Sequence, residues 1–109
     1  MKIYKITNTV NGKIFVGMTR RSLVDSFNGH LGASKVSDNS PFARALKKYG
    51  RESFKIELLE AVDPEKEDPN QVKAFWIDRL DTMTPRGYNA YSKLHGTPVF
   101  TDKISDDDI

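Results

Sequence analysis

The sequence contains no cysteine. That excludes disulfides, cysteine-ligated zinc and a thiol nucleophile, and it makes a reducing cytoplasm the expected compartment. Histidine is scarce: His30 and His95 lie far apart and define no Ser-His-Asp arrangement. There is no phosphate-cradling glycine loop of the P-loop kind and no zinc motif. No apolar run approaches the roughly 20 residues that a membrane helix needs. The opening MKIYKITNTV lacks the apolar core of a signal peptide. There is no internal repeat.

What is present is an ordinary globular composition. The 109 residues are 38% hydrophobic and 29% charged, enough for one domain with a modest core. The net charge is only +2, but it is unevenly spread. Residues 1–55 carry eleven Lys/Arg against three Asp/Glu, whereas residues 56–101 carry five against eight. The last eight residues hold Lys103 against four aspartates. A basic first half favours a polyanionic partner such as nucleic acid.

Local patterns predict the elements. Residues 2–7 and 13–18 are β-rich and flank Asn11-Gly12, a strong hairpin signal. Ser22 with Asp25 three residues later opens a helix with Leu23, Phe27 and Leu31 on one face. Gly29 and Gly32 weaken it, and residues 36–40 read as loop. Ser40-Pro41 starts a second helix, with Phe42, Ala45, Leu46 and Tyr49 at helical spacing and Gly50 as its stop. Residues 54–62 read as a third strand. After an acidic loop, Asp68-Pro69 with Gln71 opens a third helix running from Asn70 to Leu80. A turn at Thr84-Pro85-Arg86-Gly87 follows. The order predicts an α+β fold with a small antiparallel β-sheet, an N-terminal hairpin plus a third strand, flanked by helices. The domain is expected over residues 1–91, with a weakly ordered acidic tail over 92–109.

With these motifs in this order, the chain resembles the GIY-YIG nuclease family, and the phage-type homing endonucleases in particular. The first family motif stands as Lys2-Ile3-Tyr4 and the second as Phe15-Val16-Gly17, both on the hairpin. Phe27 and His30 match the first-helix motif, Phe75-Trp76-Ile77 the third-helix signature, and Gly87-Tyr88-Asn89 the terminal motif. The resemblance implies cleavage of phosphodiesters with one divalent metal. Hairpin tyrosines would position or deprotonate the attacking water, an arginine would stabilise phosphate charge, and a glutamate of the third helix would hold the metal. By position it assigns site roles to Tyr4, Phe15, Ser26, His30 and Asn89.

Three of these positions depart from the family pattern. Phe15 stands where a tyrosine is usual and carries no hydroxyl. Ser26 stands at the arginine. Lys73 stands at the metal-binding glutamate, and a protonated lysine has no lone pair for a cation. No metal ligand is therefore expected, and Mg²⁺ or Mn²⁺ enters only if the chain cuts. The leading expectation is a degenerate, inactive GIY-YIG protein of phage or mobile-element type. It would bind nucleic acid, DNA ahead of RNA, through Arg20, Arg21, His30 and Lys73. A second expectation is a regulator or inhibitor that binds a host protein complex, with Glu57–Asp68 and the acidic tail as its surface. A third is a metal-dependent endonuclease using Tyr4, His30 and a substitute ligand such as Asp25 or Glu60. No membrane association is expected, and oligomeric state is not legible.

Overall fold

The computed structural model describes residues 1–36 and 40–90. The expected acidic tail, with His95, lies outside the described residues. The elements run β1 (Lys2–Asn8), β2 (Ile14–Thr19), α1 (Leu23–Val36), α2 (Pro41–Tyr49), a one-turn 3₁₀ helix (Arg51–Ser53), β3 (Phe54–Ala61) and α3 (Pro69–Leu80). The sheet order is β2-β1-β3, antiparallel throughout. This is the α+β arrangement that the local patterns predict.

The hairpin turn is tied by its own asparagines. Asn8 Oδ1 accepts from the Val10 N–H at 2.9 Å, and Asn11 Oδ1 accepts from the Lys13 N–H at 2.9 Å. Such side-chain bonds are why Asn is favoured in turns. The register then sets Tyr4 opposite Gly17 and Ile6 opposite Phe15.

Helices cover both faces of β1, and Ile3, Tyr4 and Ile6 are all buried. Tyr4 and Ile6 pack with Phe27 of α1, Phe42 and Leu46 of α2, and Phe54 of β3. Ile3 packs on the other face with Val16, Val62 and Ile77 of α3. The domain is thus a sheet with α1 and α2 on one side and α3 on the other. Opposite β3 the register shifts, from Ile3 against Glu60 to Tyr4 against Leu58. The extra residue, Leu59, packs into the α3-side cluster, and Leu58 is left half-exposed.

The helix starts are capped by the residues that signalled them. Ser22 Oγ accepts from the Asp25 N–H at 3.1 Å, and Ser40 Oγ from the Ala43 N–H at 3.2 Å. The Asp68 carboxylate accepts from the Asn70 N–H at 2.9 Å. Each cap satisfies a donor that the helix cannot. The α3 helix starts at Pro69, one residue earlier than expected, because proline suits the first helical position.

Candidate active site

Tyr4 sits mid-strand on β1, and His30 lies two turns into α1. Their side chains meet, with the Tyr4 hydroxyl 2.7 Å from His30 Nε2. Burial pushes the Tyr4 pKa up to about 12, so a neutral phenol faces the imidazole at neutral pH. The imidazole tautomer decides which partner donates. The neighbouring strand makes room for this: a Cβ at Gly17 would run into the Tyr4 ring. Glycine at position 17 is what lets the phenol lie across β2.

Phe15 and Phe42 stack at a centroid distance of 4.4 Å and an interplanar angle of 2°. His30 stands edge-on to both, at 5.1 Å from Phe15 and 5.2 Å from Phe42. Phe15 is therefore fixed by rings, and no hydroxyl is presented at its place. Phe42 joins the site although its spacing on α2 marked it only as a core residue. Helical periodicity cannot tell a ring packed only in the core from one that also packs against His30.

Ser26 Oγ donates to Thr19 Oγ1 at 2.7 Å, and the same Thr19 oxygen accepts from the Arg21 N–H at 3.0 Å. A short side chain tied to the end of β2 thus occupies the expected arginine position. Arg20 and Arg21 are exposed. Among the described residues, no hydrogen bond or ion pair links either guanidinium to Tyr4, His30 or Lys73.

Lys73 lies in the second turn of α3, on a cavity of about 400 Å³ lined also by Phe15, Asn70, Ile77, Asn89 and Ala90. Phe15 joins this cavity to the Tyr4–His30 pair. Burial lowers the Lys73 pKa, because a charged ammonium loses hydration there. Asn70 was not singled out in the sequence; its place one helical turn before Lys73 was the available signal.

Asn89 is buried, and its amide is heavily used. Its Oδ1 accepts from the Val16 N–H and the Thr82 hydroxyl, both at 2.8 Å, while its Nδ2 donates to Val16 O at 2.9 Å. Beside it the Tyr88 N–H donates to Ile14 O at 2.9 Å. The terminal Gly-Tyr-Asn segment thus covers the outer edge of β2. Gly87 permits this approach, since a Cβ there would collide with the Thr82 backbone. Asn89 forms one wall of the cavity and braces the strand that carries Phe15.

A divalent cation does not fit this donor set. The cavity offers the neutral amides of Asn70 and Asn89 and one ammonium, and no carboxylate lines it. Hard cations such as Mg²⁺ are held through at least one carboxylate, with water and substrate phosphate supplying the other oxygens. Among the described residues, no group of three or more His, Asp or Glu could hold a metal. Neither Asp25 nor Glu60, the suggested substitute ligands, lines this cavity. Glu60 accepts from Trp76 Nε1 at 2.9 Å and lines a separate groove with Gln71 and Phe75. Asp25 is exposed in the first turn of α1. The sheet bulge and the indole hold Glu60 on the α3 side, which its sequence position did not reveal.

A small antiparallel sheet between helices, with a tyrosine–histidine pair and a cavity that abuts the third helix, defines an α+β domain. No family model matches the chain. Among solved structures, the catalytic domain of the homing endonuclease I-TevI matches with a TM-score of 0.70 and 29% identity, over 84% of this chain and 98% of that one. A mutant of that catalytic domain matches with a TM-score of 0.71 and 30% identity, over 84% of this chain and 96% of the other. In sequence, the chain is 33% identical over 97 residues to segD of Enterobacteria phage T4, covering 89% of this chain and 40% of the relative. It is 40% identical over 60 residues to segB of the same phage, covering 55% of this chain and 24% of the relative. Both phage proteins carry an endonuclease designation, and the chain spans less than half the length of either. The chain belongs to the GIY-YIG nuclease family. None of its described helices is long and apolar enough to cross a membrane.

Proposed function

We propose that this chain is a GIY-YIG domain that binds nucleic acid, DNA ahead of RNA, without cutting it. The observation that carries this reading is Lys73 on the cavity where the family pattern has its metal-binding glutamate. A fixed ammonium there attracts a phosphate oxygen instead of a metal. Phe15 and Ser26 add to the case, since one removes a hydroxyl and the other a transition-state cation. Losing one such donor typically costs about 10²–10³ in rate, and several losses together leave little even when they do not add.

A second reading, residual endonuclease activity, is favoured by one observation: the Tyr4–His30 pair is intact at 2.7 Å. A nicking assay on supercoiled plasmid with Mg²⁺ or Mn²⁺ separates the two. The expected result is no nicking by the native chain, with salt-sensitive DNA retention that weakens in Lys73→Glu. Nicking that Tyr4→Phe and His30→Ala both abolish would overturn the first reading and establish the second. Nicking gained in Phe15→Tyr/Ser26→Arg/Lys73→Glu would identify these three positions as where activity was lost.

A further inference from the structure

The α2 helix carries a second cationic surface apart from the Lys73 cavity. Phe42, Ala45 and Leu46 turn one face of α2 into the core. Arg44, Lys47 and Lys48, spaced i, i+3, i+4, share the other face, and all three are exposed. The helix ends at Gly50, and Arg51 follows at the seam with α1. The Arg51 guanidinium lies 5.6 Å from the centre of the Phe27 ring and donates to Asn28 Oδ1 at 3.1 Å. It is thereby held in place beside the helix.

Neutral explanations account for part of this only. Lys47 and Lys48 lie in the last turn of α2, where the helix dipole favours cations. Arg51 lies outside the helix altogether. Between Ser26 and Arg51 the sequence holds a single acid, Asp38, which lies outside the described residues, with Asp25 and Glu52 flanking the segment. Lys47, Lys48 and Arg51 pair with no carboxylate among the described residues. The acids are concentrated elsewhere in the chain, six of them between Glu57 and Asp68.

We propose that Arg44, Lys47, Lys48 and Arg51 form a stripe that holds the phosphates of one strand of a DNA duplex. This rests on the reading of nucleic acid as the partner, and it places the main grip away from the cavity. Arg44 to Lys48 span roughly 6 Å by helix rise and Arg51 continues the stripe past the helix end, a length that matches about two to three phosphates of one strand. A duplex is favoured over an unstacked single strand because no ring is offered to a base: Tyr49 is half-buried, with Lys48 Nζ 5.3 Å from its centroid. Charge without base-reading groups also makes the grip independent of sequence.

The test is fluorescence anisotropy of a short labelled DNA duplex across a salt series. It compares the native chain, Lys73→Gln, and the quadruple Arg44→Gln/Lys47→Gln/Lys48→Gln/Arg51→Gln. The quadruple variant is expected to flatten the slope of log K against log salt by about 2 to 3, and Lys73→Gln by about 1. Circular dichroism checks that each variant is folded. If the quadruple variant does not fold, Lys47→Gln/Lys48→Gln carries the test with an expected flattening of about 2. An unchanged slope in a folded stripe variant, with native binding intact, overturns the stripe and leaves the nucleic-acid reading standing. No duplex binding by the native chain even at low salt overturns both. Competition by polyglutamate as effective as that by the duplex overturns the choice of DNA in favour of an acidic protein partner.

Discussion

Replacing Asn89 by alanine tests the claim that its amide secures the edge of β2. Three hydrogen bonds are lost, two to the main chain of Val16 and one to the Thr82 hydroxyl. Val16 is fully buried, so its N–H and C=O on that edge are left without partners. An unpaired buried polar group costs about 1–3 kcal/mol. The adjoining cavity admits water to one side, which lowers the total. The expected loss is about 3 kcal/mol, a large share of the stability of a domain this size. In a thermal melt that corresponds to a fall of about 12–20 °C, and in urea to a lower midpoint at unchanged slope. Asn89→Asp sharpens the test. Its carboxylate keeps the acceptor but sets a second oxygen against Val16 O, so the ionised form is disfavoured and its folded pKa is raised. Its stability should therefore be better at low pH and be lost as pH rises through that pKa. Thr82→Val, which removes one bond only, should cost about 1 kcal/mol. A loss below about 1 kcal/mol for Asn89→Ala would refute the bracing role.

Two further outcomes follow from the same geometry. Gly17→Ala places a methyl against the Tyr4 ring and should destabilise the fold by about 1–3 kcal/mol. Urea titration should show that loss relieved in Gly17→Ala/Tyr4→Leu, because the smaller side chain frees the space. Tyr4 is neutral in both states below pH 10, so its contribution is fully present there. As pH rises from 10 towards about 12, the unfolded chain ionises first and up to about 3 kcal/mol is lost. Denaturant midpoints through that window should fall more steeply for the native chain than for Tyr4→Phe, and equal slopes would contradict the burial of the phenol.

Much of the fold was legible because it is written in local chemistry. Ser22, Ser40 and Asp68 cap the helices they announced, since capping needs only residues a few positions apart. The asparagines at the hairpin turn act within it for the same reason. Less legible was the burial of β1 on both faces, because alternation alone describes a strand with one solvated side. The consecutive Ile3 and Tyr4 are both buried because α1 and α2 cover one face of the sheet and α3 covers the other.

The site divides in the same way. By itself the sequence determined which side chains are available: a phenylalanine without a hydroxyl, a serine without charge, a lysine where an acid is usual, and no cysteine at all. Chemical identity needs no fold. Only the tertiary structure decided which of these residues meet. It joined Tyr4 to His30 across 26 positions, set Phe42 against Phe15, and closed the Asn89 amide on Val16. It also kept Glu60 with Trp76, away from the cavity that a substitute ligand would have to reach. Hydrogen bonds and ring contacts act over a few ångströms, and sheet register and helix packing set those distances between residues remote in the chain.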